Sequence, residues 1–232
     1  MKTRRILISI ICFAFLGIVS VNAQTKTTKE FEGSVVYSLS INGIPNSEEV
    51  LSAIPDFMKN VSIKARDGKV AFNVMNVTTI YYNKETNETI NKLDLSMMGL
   101  GSFCIPIPTE TTDNSEPKLD YSKEKDILGH KAVSVYINDS IFYWVATDLL
   151  LSFPLNSNSN IFLPLEFDIE NNGINLHLIA TSISFDKPSK NEVEIPKDCN
   201  TITMEELQEL LFEIQGGMLD DDDIDLDLEE DE

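Results

Sequence analysis

The chain has two histidines, His130 and His177, and these are the side chains whose types most suggest chemistry. A catalytic histidine needs a positioned partner, and a zinc site needs three or four ligands at organised spacing. The sequence contains no H-x-x-x-H, C-x-x-C or G-x-S-x-G motif. We therefore predict no catalytic residue, no metal site, no cofactor and no enzymatic activity. We expect His130 to be a turn residue that follows the conformationally permissive Gly129.

The cysteines allow one covalent bridge. Cys12 lies in an apolar stretch near the start, which leaves Cys104 and Cys199. A disulfide persists in an exported protein, but its geometry is strict and the sequence gives no distance between the two thiols. A Cys104–Cys199 disulfide and two separate buried thiols are both open alternatives.

Residues 1–23 have the features of a secretory signal peptide. A positively charged start that includes Lys2 precedes an apolar run that ends at Val21, and small residues follow up to Ala23. This pattern predicts cleavage between Ala23 and Gln24. The apolar run is short for a membrane span of about 20 residues. We expect a periplasmic or secreted protein that is not an integral membrane protein after cleavage.

The charge is strongly negative. The formal net charge is −20, and loss of the signal removes three of 18 basic residues, which leaves 15 minus 38, or −23. Such a chain does not bind nucleic acid or an anionic membrane by electrostatics. Ten of the acidic residues lie in residues 220–232, which we predict to be a disordered tail. Residues 24–219 have the length of one domain.

Strand patterns position most of the remaining residues. The segment "EGSVVYSLSIN" alternates apolar and smaller residues, and a meander of short β-rich runs begins at Val61. Five further runs follow residue 117. The segment "FCIPIP" contains Pro106 and Pro108, so we expect a loop there. The sequence predicts a mainly β fold, an antiparallel sheet of about ten strands with two helices.

The two helices have separate start signals. In "NSEEVLSAIPDFMKN", Ser47 is a candidate cap and Pro55 limits the helix. In "TMEELQELLFEIQGG", Thr203 and Glu206 form a capping-box pattern before a leucine-rich face, and a Gly-Gly pair closes the segment.

A hairpin carries the main candidate binding surface. If Asn138-Asp139 forms a two-residue turn, Val135 faces Phe142 and Val133 faces Trp144. That register puts five large side chains on one face, which must pack on a core or line an apolar pocket. We add to this candidate surface residues of the first strand and the methionines, including Met97 and Met98, because methionine side chains adapt to irregular apolar shapes. The candidate ligand-binding residues are Tyr37, Leu39, Met75, Val133, Val135, Ile137, Phe142 and Trp144.

Several segments also carry a family resemblance. In order, "FEGSVVYSL", "YSKEKDILGHKAVSVYI…IFYWVATDL", "LPLEFDI…NGINLHLIATSISF" and "EVEIPKDCNTITMEEL" resemble a secreted domain family of unknown function in Gram-negative bacteria. That family is similar to the periplasmic lipoprotein carriers of the LolA type. The resemblance spans roughly Phe31 to Gly217. It implies an open, curved half-barrel whose apolar concave face, partly covered by helices, shelters acyl chains.

The resemblance carries over no catalytic residue, and Arg66, which is the one arginine after residue 23, has no matching motif. The leading hypothesis is an exported, non-catalytic envelope protein whose apolar cavity binds a lipid or an acylated protein. The alternative is a structural or interaction module with a fully packed core, because apolar stripes are common in ordinary cores.

Overall fold

The computed structural model describes residues 28–43, 45–108, 118–137, 141–153, 161–171, 174–197 and 199–219. The predicted signal peptide, its cleavage point at Ala23 and Gln24, and the predicted acidic tail 220–232 lie outside these residues.

Thirteen strands, two α-helices and three short 3₁₀ helices (Asp56–Lys59, Ser96–Met98 and Lys190–Glu192) make up the regular structure of the described residues. The strands of the first half are β1 (Lys29–Glu30), β2 (Gly33–Asn42), β3 (Val61–Arg66), β4 (Lys69–Val74), β5 (Thr78–Asn83), β6 (Glu88–Asp94) and β7 (Ser102–Ile107). Those of the second half are β8 (Lys118–Ile127), β9 (His130–Ile137), β10 (Ile141–Leu151), β11 (Ile161–Asn171), β12 (Ile174–Ser184) and β13 (Asn200–Thr201). The helices are α1 (Ser47–Ala53) and α2 (Met204–Leu219).

All strands belong to one open sheet in the order β13-β7-β6-β5-β4-β3-β2-β12-β11-β10-β9-β8, and β1 pairs with β10. Most neighbours are antiparallel, whereas β1 and β13 pair in parallel with β10 and β7. The mainly β fold is confirmed, but the count of about ten strands is wrong. The ten predicted runs correspond to β2–β6 and β8–β12, so the sequence missed β1, β7 and β13.

The strand β7 overturns the expectation of a loop at "FCIPIP". Pro106 pairs with Ile90 of β6, whereas β13 pairs only with Phe103 and Cys104. Beyond Cys104, the outer side of β7 therefore has no strand partner among the described residues. A proline is tolerated on such an edge because no neighbour needs its missing N–H. Both β1 and β13 have two residues, which is too short to produce a periodic pattern.

Alternation along the strands divides the sheet into two faces. We call the face that bears Val35 of β2 and Ile63 of β3 the core face, and the opposite one the outer face. Aromatic rings meet across the core face. The ring centroid of Phe167 of β11 lies 6.1 Å from that of Phe72 of β4 and 5.4 Å from that of Tyr37 of β2. The main core therefore joins strands that are distant in the sheet order.

Gly33, at the start of β2, permits a close approach between strands. Its φ is +150°, and a Cβ there would lie 2.0 Å from the carbonyl oxygen of Ser184. Only a residue without a side chain fits this contact.

A strap of residues 185–199 connects β12 to β13 and is fastened to the other strands by side chains. The ion pairs Lys64–Glu192 (2.6 Å) and Lys69–Glu194 (2.9 Å) hold its middle part. The strap ends at Cys199, which forms a disulfide with Cys104 of β7 and brings the Cα atoms to 5.6 Å.

The helices agree with the sequence patterns in part. Thr203 caps α2 as expected, since Glu206 N donates to Thr203 Oγ1 (3.1 Å) and Thr203 N donates to Glu206 Oε2 (2.7 Å). The helix continues past the Gly-Gly pair to Leu219. In α1, Ser47 is the first helical residue and Asn46 occupies the cap position. In the described part of the chain, no helix has the length and apolar character needed to cross a membrane.

Candidate apolar ligand site

Burial varies along the core face. On β2, Val35, Tyr37 and Ile41 are buried and Leu39 is half-buried. On β4 the buried Val70 precedes the half-buried Phe72, and on β5 the half-buried Ile80 precedes the buried Tyr82. Helix α1 packs on β2.

Several large apolar side chains of the core face pack on the main core and are only half-buried. We call six of them the upper core face. It consists of Leu39, Phe72, Met75, Ile80, Tyr143 and Ile169. Part of each of these side chains remains accessible to solvent.

Three of the predicted ligand-binding residues lie on or beneath this surface. Leu39 and Met75 belong to the upper core face. Tyr37 lies beneath it, fully enclosed, and its hydroxyl donates a 2.8 Å hydrogen bond to the carbonyl oxygen of Pro164. Burial raises the pKa of Tyr37 far above the ordinary value. The structure therefore assigns Tyr37 to the core of the protein.

The β9–β10 hairpin has a different register from the predicted one. Val135 lies opposite Tyr143, not Phe142, and Trp144 lies opposite Ser134. Ile137 pairs with Ile141, so three residues separate the strands where a two-residue turn was expected. Residues 138–140 lie outside the described residues.

This one-residue shift divides the predicted binding face, because neighbouring residues of a strand point to opposite sides. Val133 and Val135 pack with Val145 in a small second cluster. Trp144 lies on the other side of β10 from Val145. The backbones of Ile137 and Phe142 follow the same alternation, but their side chains lie outside the described part of the structure.

Trp144 is half-buried against the main core, and Lys125, which lies over its ring, belongs to a network of polar side chains on the outer face. Lys125 Nζ lies 4.2 Å from the centroid of the indole ring and forms an ion pair with Glu166. His177 Nδ1 lies 2.7 Å from Asp168 Oδ1, and its Nε2 lies 4.0 Å from Glu166 Oε1. Sequence reasoning found no partner for His177. The structure supplies one, because the pairing of β11 with β12 places Asp168 opposite His177.

His130 also has an acidic neighbour. It begins β9 directly after the turn at Leu128-Gly129, and its Nδ1 lies 3.4 Å from Asp148 Oδ2. Its ring centroid lies 6.2 Å from that of Phe185. A histidine–carboxylate pair orients an imidazole, but catalysis also requires a nucleophile and a place for substrate. Within the described ranges, no group of three or more His, Cys, Asp or Glu residues is arranged to hold a metal ion.

No protein-family model matches this chain, and no curated protein matches it. The arrangement of the upper core face is therefore the basis on which a function is inferred.

Proposed function

We propose that this chain is an exported, non-catalytic protein of the cell envelope, periplasmic or secreted, that binds a lipid or a lipidated partner in an apolar cavity. The observation that carries the proposal is the upper core face. Its side chains are anchored on a buried core, and their outer parts remain open to solvent. Ligand sites for apolar molecules have this composition, with a preformed apolar wall and few polar groups.

Contacts across the sheet support a half-barrel shape for this cavity. Three strands lie between β4 and β11, so a flat sheet would separate them by about 19 Å at ordinary strand spacing. The rings of Phe72 and Phe167 are 6.1 Å apart instead. Lys84, which follows β5, lies 3.2 Å from the hydroxyl of Ser152, which follows β10, although five strands lie between β5 and β10. A strongly bent sheet explains both contacts.

The shape of the wall suits an acyl chain better than a rigid ligand. Met75 has a flexible thioether side chain that adapts to irregular apolar surfaces, and Leu39 and Ile80 add aliphatic contacts. Burial of apolar area contributes about 25 cal/mol per Å². Covering this surface with a chain would therefore drive binding without any charged contact.

The second candidate is an interaction module that has no small ligand. The closely packed part of the core favours it: the residues Val35, Leu163, Leu165 and Leu178 are each 0% exposed. In this reading the half-buried side chains are the ordinary margin of a core that the protein fills itself.

Two substitutions at adjacent positions separate the candidates. Leu39 and Ser38 are neighbours on β2, but Leu39 points to the core face and Ser38 to the outer face, where its side chain is exposed. Leu39→Gln adds a polar group to the proposed wall, and Ser38→Gln is the matched control. Titration with the apolar fluorophore N-phenyl-1-naphthylamine should show about tenfold weaker binding for Leu39→Gln, equivalent to about 1.4 kcal/mol, and an unchanged affinity for Ser38→Gln.

Lipid extraction of the purified full chain, followed by mass spectrometry, provides an independent measurement. A stoichiometric lipid in the extract would support the cavity. An empty extract, together with no saturable fluorophore binding to the unmodified protein, would refute the cavity and favour the interaction module.

A further inference from the structure

Strand β8 forms one edge of the open sheet. It pairs with β9 on one side, and on its other side it has no strand partner among the described residues. An edge strand directs unpaired backbone N–H and C=O groups outward, so it can pair with a strand of another molecule. Natural sheets oppose such edge-to-edge association with bulges, charged side chains, prolines or very short edge strands.

A bulge of three residues interrupts β8. Asp120 pairs with Ser134 of β9, and Glu124 pairs with Val133, which is the direct neighbour of Ser134. Residues 121–123 are therefore inserted into β8 with no residue opposite them on β9, and all three are exposed. A bulge bends its strand, so the free edge of β8 is not a straight template for an added strand.

Hydrogen bonds hold this bulge in a defined conformation. The Asp120 carboxylate accepts a hydrogen bond from the backbone N–H of Ser122 (2.9 Å), and Lys123 Nζ donates to the hydroxyl of Tyr136 on β9 (2.9 Å). The side-chain and backbone hydrogen bonds from Ser122 also lower the pKa of Asp120, which keeps this edge carboxylate ionised. The bulge is thus a fixed part of the strand.

The composition of β8 also differs from that of an interior strand. Six of its ten residues are charged, whereas β2, which has the same length and lies inside the sheet, has none. At the opposite edge of the sheet, β13 has only two residues, and Pro106 lies beyond its pairing with β7 and has no N–H to donate. Both ends of the sheet therefore have features that oppose strand addition.

We infer that residues 121–123 close the β8 edge and keep this chain from pairing with a second copy of itself. Without them, Asp120 would precede Glu124 directly, and their partners Ser134 and Val133 are already consecutive. The three residues before the bulge and the four after it would then form one unbroken strand of seven residues, with the register against β9 unchanged. Two such edges can pair as antiparallel strands around a twofold axis. This inference does not depend on the proposed lipid site.

Deletion of residues 121–123 from the full chain tests the inference. Light scattering after size-exclusion chromatography should give about twice the molar mass of the unmodified chain, because the edge is then open to a second copy. Amide hydrogen exchange should show new protection at the β8 amides that point away from β9. Thermal unfolding of the same sample establishes that the deletion variant is folded.

The double variant Lys118→Thr/Glu124→Thr is the matched control. It removes two charges from the edge, introduces residues that favour strands, and keeps the bulge. We expect it to have the molar mass of the unmodified chain. Association of this control through β8 would overturn the inference even if the deletion variant failed to fold, because the bulge would then be insufficient to close the edge.

The remaining outcomes are equally decisive. A folded deletion variant with the molar mass of the unmodified chain would overturn the role of the bulge. A doubled mass without new protection in β8 would also overturn it, since the association would then use another surface. None of these results changes the fluorophore and lipid measurements that test the proposed function.

Discussion

Loss of the disulfide should be the most damaging covalent change to this fold. The bridge joins residues that are 95 positions apart, and it fixes Cys199 to β7 immediately before β13 and α2. We expect the double variant Cys104→Ala/Cys199→Ala, and the unmodified chain in reducing agent, to be destabilised to a similar extent. The two routes differ in side-chain volume but share the loss of the constraint.

The sequence separation sets the magnitude. In the chain-entropy model, a closed loop of 95 residues reduces the entropy of the unfolded state by an amount equivalent to about 4.7 kcal/mol at 25 °C. Removal of native disulfides typically costs about 2–5 kcal/mol. Because the stability of a whole domain is roughly 5–15 kcal/mol, this loss removes a large share of it. The thermal midpoint should fall by roughly 5–15 °C.

Denaturant unfolding monitored by tryptophan fluorescence gives the free energy, since the chain has one tryptophan. Amide hydrogen exchange gives a local measure, because Ile202 N donates to Cys104 O at 3.0 Å within the β13–β7 pairing. That amide should exchange faster once the bridge is gone. Reducing agent should have no effect on the double variant, which is the control. If bridged and reduced protein unfolded at the same denaturant concentration, the constraint would not contribute as argued.

Three further changes test the core, the strap and a close strand contact. Tyr37→Phe removes the hydrogen bond to Pro164 and should lower the free energy of unfolding by about 1–3 kcal/mol. Because burial raises the pKa of Tyr37, the free energy of unfolding of the unmodified chain should also fall as the pH rises above 10.0, and it should fall less in the variant. The hydrogen bond from Lys64, followed by those from Ser189, lowers the pKa of Glu192 to about 2, so the contribution of this carboxylate should be present above pH 4.5 and be lost as the pH falls towards 2. Glu192→Gln should cost less than about 1 kcal/mol at neutral pH and flatten that acid limb, because the pair is partly exposed. Gly33→Ala should cost about 2–4 kcal/mol because its Cβ would collide with a carbonyl oxygen of β12.

Chemical denaturation across pH measures all three. If the free energy of unfolding fell as steeply at alkaline pH in Tyr37→Phe as in the unmodified chain, the burial argument would be contradicted. If it fell as steeply at acid pH in Glu192→Gln as in the unmodified chain, the role assigned to Glu192 would be contradicted. Native stability of Gly33→Ala would show that β2 and β12 can separate at that point.

Local patterns predicted the elements that depend on local causes. Thr203 and Glu206 are three residues apart, so the capping box of α2 was visible in the sequence and formed as expected. The meander from β3 to β6 and the runs from β8 to β12 follow from alternation and turn residues. Strand β7 was missed because proline normally argues against a strand, and only the shortness of β13 makes Pro106 tolerable.

The candidate site was predicted less well because it depends on register. Alternation shows that Val133 and Val135 share a face, but it does not state which residues of β10 oppose them. A loop of three residues rather than two moved Trp144 to the other face. Leu39 and Met75 were identified, whereas Phe72 and Ile80 were not, because their membership depends on how far the protein covers each position.

The sequence by itself determined where strands run, where α2 begins and which side chains alternate, since these follow from neighbours a few residues apart. Only the tertiary structure decided that Phe72 meets Phe167, that Cys104 reaches Cys199, and that Asp168 lies against His177. The physical reason is that these contacts join segments whose separation in space is set by the order of strands in the sheet and by packing between distant strands. No local pattern of residues encodes either.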